Sequence, residues 1–175
     1  MLVLVSGGAA SGKSEFAESL IVRAGHAKRT YIATMELRDA EDMRRAARHR
    51  AMRAGKGFIT LECPRGLIEA PLPQEGGSAL LECMSNLVAN EMFGGLGADG
   101  LVERVCAGVL RLTKQYEFVV VVTNELFSDG LQYALEVQGY LSALGAVNQA
   151  LAAQADAVVE VVSGIPQYWK GKGLL

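Results

Sequence analysis

Short apolar runs recur along the chain, and longer stretches with helical apolar spacing lie between them. Leu2-Val3-Leu4-Val5 and Phe118-Val119-Val120-Val121-Val122 are apolar without a break, which predicts strands buried on both faces. Comparable runs place strands near residues 2–6, 30–34, 58–62, 79–83, 118–123 and 157–163. Helical stretches lie near 14–24, 39–54, 84–93, 101–116 and 131–154. The fourth shows its inward stripe plainly, with Leu101, Val105, Val109, Leu112 and Tyr116 at helical spacing. Strands alternating with helices imply an α/β fold: a mainly parallel sheet with helices on both faces. Ligands in such sheets collect at the carboxyl ends of the strands. Pro64 to Ser78, with Pro71, Pro73 and Gly76-Gly77, reads as an irregular surface connection. Gly94 to Gly100 reads as a flexible link between helices, and neither segment is a domain boundary.

The bulk properties narrow the class without choosing a function. At 175 residues the chain fits one domain, 1–175. Its net charge of −2 exerts no overall pull on nucleic acid or an anionic membrane, so any anion recognition must be local. Cys63, Cys83 and Cys106 have no C-x-x-C spacing and read as reduced thiols of a cytoplasmic protein. The apolar start is too short for a signal peptide. No run approaches the ~20 apolar residues that span a bilayer.

Chemistry enters right after the first strand. Gly7-Gly8-Ala9-Ala10-Ser11-Gly12-Lys13-Ser14 fits the phosphate-loop pattern G-x-x-x-x-G-K-[ST] at every defined position, between a strand and a helix as the mechanism requires. Gly7, Gly8 and Gly12 let backbone N–H groups turn inward around a phosphate, and the helix N-terminus adds partial positive charge there. Lys13 is placed to reach the β- and γ-phosphates of a nucleoside triphosphate, and the Ser14 hydroxyl to bind Mg²⁺. Glu82 ends the run Ser78-Ala79-Leu80-Leu81, where phosphate-loop enzymes keep an acidic residue for Mg²⁺, usually through water. Glu62 ends Phe58-Ile59-Thr60-Leu61 in the same manner, and Thr123-Asn124-Glu125 follows the most apolar strand.

The segment from Asp42 to Lys56 holds Arg44, Arg45, Arg48, Arg50 and Arg53 around His49. Arg45, His49 and Arg53 fall on one helical stripe, while Met43, Ala46, Ala47 and Ala54 can face the protein. Three readings stay open on these residues alone: a solvated basic helix, an RNA-contacting patch without aromatic platforms, or a histidine nucleophile among guanidinium groups.

Taken in order, these segments resemble the bifunctional adenosylcobinamide kinase / adenosylcobinamide-phosphate guanylyltransferase family of cobalamin biosynthesis. The resemblance runs from Val3 through Ser14 and includes Tyr31-Ile32-Ala33-Thr34, Arg45-Ala46-Ala47-Arg48-His49, Thr60-Leu61-Glu62-Cys63 and Leu80-Leu81-Glu82-Cys83-Met84-Ser85-Asn86. It continues through Val122-Thr123-Asn124-Glu125, Gly145-Ala146-Val147-Asn148-Gln149 and Val161-Val162-Ser163-Gly164-Ile165-Pro166. The resemblance implies phosphorylation of adenosylcobinamide, then GMP transfer from GTP through a guanylylated histidine that falls on His49. It also implies GTP (or ATP for the kinase step) with Mg²⁺, a corrinoid substrate, no nucleic acid and a homo-oligomer, a trimer. Arg50, Arg53, Ala33, Thr34, Met35, Glu62 and Glu82 fall on the family's nucleotide-binding positions. Two departures stand out. Arg48-His49-Arg50 carries one histidine where many relatives carry two, and Leu126 to Gly130 replaces a Gly- and Pro-containing stretch, the side expected to meet the corrinoid. A phosphate-loop kinase using only the γ-phosphate and a catalytically lapsed nucleotide-binding regulator are the rival readings. The tail Gln167 to Lys172 carries no assignable role.

Overall fold

A computed structural model describes residues 1–37, 39–94, 97–127, 130 and 133–173, with the side chains of Arg45, His49 and Met52 outside the description. Among these residues the strands are β1 (Leu2–Ser6), β2 (Arg29–Ala33), β3 (Phe58–Glu62), β4 (Ser78–Glu82), β5 (Phe118–Val122), β6 (Ala157–Val162) and β7 (Ile165–Lys170). The helices are α1 (Lys13–Arg23), α2 (Ala40–Arg53), α3 (Met84–Phe93), α4 (Leu101–Gln115) and α5 (Leu135–Gln154). The strands form one sheet in the order β3-β2-β4-β5-β1-β6-β7. All neighbouring pairs are parallel except β6 and β7.

The all-apolar strands are central and covered on both sides, as their composition requires. On one face Val3, Val5, Leu80, Val120 and Val122 pack against Ala17, Leu20 and Ile21 of α1. On the other, Leu4, Ala79, Leu81, Val119 and Val121 meet apolar stripes of α3, α4 and α5. Leu101, Val105, Val109 and Leu112 of α4 are buried together, matching the spacing read from sequence.

The structure adds detail at three places. Part of the tail that carried no assignable role belongs to Ile165–Lys170, an edge strand antiparallel to β6. Its mixture of polar residues and Pro166 suits an edge, where a missing N–H costs no ladder bond to a further strand. Residues 64–77 form an irregular, largely surface-lying connection as expected, but it is anchored, because Leu67 and Ala70 are buried in the core. The Arg111 guanidinium donates to the carbonyls of Leu67 and Ala70, and the Asn90 amide to that of Pro64. The last helix begins at Leu135 instead of 131, and Leu131 and Gln132 lie outside the described residues, as do Gly95 and Leu96 of the 94–100 link.

Entry into β4 depends on Gly77. It has φ +75°, and a Cβ there would lie 2.3 Å from the Lys28 carbonyl oxygen. Its own carbonyl accepts from the N–H groups of Glu117 and Phe118, which locks β4 beside β5. Gly77→Ala is expected to lower stability by about 2–4 kcal/mol through backbone strain and displacement of Lys28. Chemical denaturation of the two proteins checks this.

Candidate functional site

The loop from Gly7 to Ser14 leaves β1 and enters α1 with its backbone turned inward. Gly12 is left-handed (φ 89°) and caps α1 with no side chain, so the first helical N–H groups stay open to a ligand. Ser11 N–H donates to the Gly8 carbonyl and Phe16 N–H to that of Gly12. The β6–β7 turn braces the loop from outside: Gly164 N–H donates to the Ser11 carbonyl at 2.8 Å. A Cβ on Gly7 would lie 2.6 Å from the Val161 carbonyl oxygen, so the glycine permits this approach. The Ser11 hydroxyl is buried without a partner, an acceptor or donor waiting for one.

Lys13 reaches back to the Gly8 carbonyl at 2.9 Å. Burial lowers the pKa of its ammonium below that of ordinary lysine, an effect partly opposed by the nearby Glu82 carboxylate. Ser14 donates its hydroxyl hydrogen to Glu82 Oε1, and the Tyr31 hydroxyl donates to Glu82 Oε2 at 3.0 Å. Hydroxyl and carboxylate oxygens brought together in this way suit a hard cation such as Mg²⁺.

These groups form the floor of a pocket of about 550 Å³. Helix α2 supplies a cationic wall, with Arg48, Arg50 and Arg53 lining the cavity. Ala33, Met35 and Glu62 come from the ends of β2 and β3, and Cys83, Asn86 and Asn124 from beyond β4 and β5. Helix α2 starts at Asp39, whose carboxylate accepts from the N–H groups of Glu41 and Asp42. Its far end is pinned in three places. Arg50 pairs with Glu62 at 2.7 Å, Lys56 with the buried Glu18 at 2.5 Å, and the Arg53 guanidinium lies 3.3 Å over the Tyr31 ring centroid. Arg53 is only 6% exposed, and its Nε and Nη1 have no hydrogen-bond partner. A buried cation with unspent donors facing a pocket is suited to an anion.

Residues 3–168 match the family of cobinamide kinase / cobinamide phosphate guanyltransferase. This chain belongs to that family. It is 36% identical over 182 residues to the bifunctional adenosylcobalamin biosynthesis protein CobU of Salmonella typhimurium strain LT2, covering 94% of this chain and 97% of that one. It is 32% identical over 176 residues to the bifunctional adenosylcobalamin biosynthesis protein CobP of Pseudomonas aeruginosa, covering 98% of each. Among solved structures, an ATPase domain shares the fold with a TM-score of 0.54 at 12% identity, over 91% of this chain and 68% of that one. The fold is thus that of the phosphate-loop nucleotide hydrolases.

Of the positions singled out in the sequence, Ala9, Ala10, Lys13, Ser14, Glu62 and Glu82 line the pocket, as do Ala33, Met35, Arg50 and Arg53. Gly7, Gly8, Ser11 and Gly12 shape the loop behind them. Thr34 is fully buried, and its hydroxyl is spent on the backbone of Cys83, donating to the carbonyl at 2.8 Å and accepting from the N–H at 2.7 Å. His49 sits in α2 between two pocket-lining arginines, and its side chain lies outside the described residues. The expectation that Met43, Ala47 and Ala54 turn inward fails: all three are exposed, while Arg53 is the buried one. Sequence reasoning missed Tyr31 as part of the site. Its signal was an aromatic two residues before the end of a strand that opens on the pocket.

Thr34→Val keeps the shape and removes both hydroxyl bonds, leaving the Cys83 N–H without its acceptor while the carbonyl keeps the Leu87 N–H. A loss of about 1–3 kcal/mol is expected. A lowered melting temperature with unchanged secondary structure by circular dichroism checks it.

Proposed function

We propose that this protein phosphorylates adenosylcobinamide and then transfers GMP from GTP to the resulting phosphate, through a guanylylated His49. One observation carries the reading. The phosphate loop and the arginines on either side of His49 border the same pocket, so both kinds of phosphate chemistry have their cations in one place.

In the phosphorylation step the corrinoid hydroxyl attacks the γ-phosphorus, loses its proton, and the nucleoside diphosphate departs. Lys13 and the loop N–H groups hold the charge that develops on the phosphates. In the transfer step a neutral imidazole nitrogen of His49 attacks the α-phosphorus of GTP. The bond to the β-phosphate oxygen breaks, and pyrophosphate leaves. An oxygen of the corrinoid phosphate then attacks the same phosphorus. The P–N bond breaks and the imidazole is restored. Arg50 and Arg53 neutralise the phosphates during these displacements. Ser14 and Glu82 would hold Mg²⁺, which when bound supplies charge neutralisation at the phosphates.

ATP can replace GTP as the phosphoryl donor of the first step, because that step draws on the phosphates and not on the base. The protein works in the cytoplasm and as a homo-oligomer, a trimer by likeness to its family. Among the described residues no helix is long and apolar enough to cross a membrane.

Incubation with α-labelled GTP and magnesium is expected to place a GMP adduct on the peptide containing His49, and His49→Ala to abolish it. Label on γ-phosphate transfer alone, with the protein itself never modified, would leave only a kinase. Lys13→Ala is expected to slow both steps by about 100-fold or more, the usual effect of removing one group that stabilises transition-state charge. Single-turnover kinetics with each labelled nucleotide read the two rates separately.

A further inference from the structure

Among the described residues, Tyr31 is the side chain that touches both ends of the pocket's machinery. It sits in the middle of β2 between Thr60 of β3 and Leu80 of β4, and is 4% exposed. The Phe58 ring meets it edge-on, with centroids 6.2 Å apart and planes at 84°. Neighbours on both sides therefore hold the phenol in one orientation. Its two functional surfaces point to different partners. The hydroxyl donates to Glu82 Oε2, while Ser14 takes Oε1. The ring face carries the Arg53 guanidinium.

We propose that Tyr31 is a positioning residue for both phosphate reactions, holding the Glu82 carboxylate with its hydroxyl and seating Arg53, and with it helix α2, on its ring. The inference rests on the function proposed above.

Each half of the arrangement does something the other cannot. A carboxylate held at one oxygen can still rotate. Held at both, it presents a fixed acceptor to Ser14. The Arg53 guanidinium needs a different kind of support. Its Nε and Nη1 are unpaired and buried, so the electron-rich ring face compensates the cation without consuming its N–H donors. A carboxylate in the same place would pair with the guanidinium and leave fewer donors for a phosphate. The aromatic ring thus keeps the positive group of α2 and the negative group of β4 close to one pocket without letting them neutralise each other.

The two halves are separable by two substitutions. Tyr31→Phe deletes the hydroxyl and keeps the ring, and Tyr31→Leu deletes both. The readouts are GTP affinity by calorimetry in excess chelator, the same affinity in magnesium, and the rate of GMP incorporation into the protein. For Tyr31→Phe, chelated GTP binds as in the unaltered protein. The gain in affinity on adding magnesium shrinks by about tenfold, the usual worth of a hydrogen bond to a charged group. For Tyr31→Leu, binding of chelated GTP itself weakens by roughly tenfold, the worth of a desolvated cation–π contact. If Tyr31→Leu melts too early to assay, Arg53→Met, which leaves the ring in place, must show the same loss in chelated GTP. Equal effects of Phe and Leu on chelated GTP, or a magnesium gain unaltered in Tyr31→Phe, would overturn the proposal. If the unaltered protein takes up no GMP, the transferase reading fails instead, and the two affinities still decide the role of Tyr31.

Discussion

The parallel register of β2, β4 and β5 is the constraint on which the site depends. Ala33 pairs with both Glu62 and Glu82, and Glu82 pairs with Val122, so four strand ends stop at one level. Alternation along β4 sends Leu81 into the core beneath α3, α4 and α5, and Leu80 toward α1. A slip of one residue would exchange those faces and carry Glu82 away from Ser14. Burial of the flanking leucines therefore fixes the carboxylate more firmly than any contact within the pocket. The chemistry borrows its precision from hydrophobic packing.

Electrostatics is then set locally. Chain-wide charge is nearly balanced, yet Lys13 and three arginines of α2 face one cavity with only Glu62 and Glu82 among the described lining residues as counter-charges. Arg50 is committed to Glu62, an ion pair about half exposed to solvent and so of modest strength. Arg53 has no such acid at Nε or Nη1 and rests on an aromatic face. The buried guanidinium thus keeps donors unspent.

Much of this was legible in the residues. The six apolar runs became strands within about a residue of where they were placed, and in β1, β4 and β5 near-continuous burial leaves little freedom in length or phase. The phosphate loop was legible because glycine spacing, lysine and serine are each required by the same geometry. Strand β7 was not, since an edge strand needs no apolar run and Gln167 and Lys170 look like loop residues. The inward turn of residues 64–78 was hidden because Leu67 and Ala70 are isolated among prolines and glycines. The Arg53–Tyr31 contact joins residues whose sequences carry no mutual signal: stacking is decided only when α2 lies down beside β2. For the same reason spacing alone leaves three readings of the helix open.

The brace between Gly164 and Ser11 orders events in time. Synthesis runs from the amino to the carboxyl end, and the loop emerges from the ribosome long before its last supporting N–H exists. β1 likewise waits for both of its neighbours, β5 and β6, because its pairing partners lie more than a hundred residues downstream. Contacts so distant along the chain close slowly. The geometry of the loop is therefore complete only once the C-terminal strands have joined the sheet.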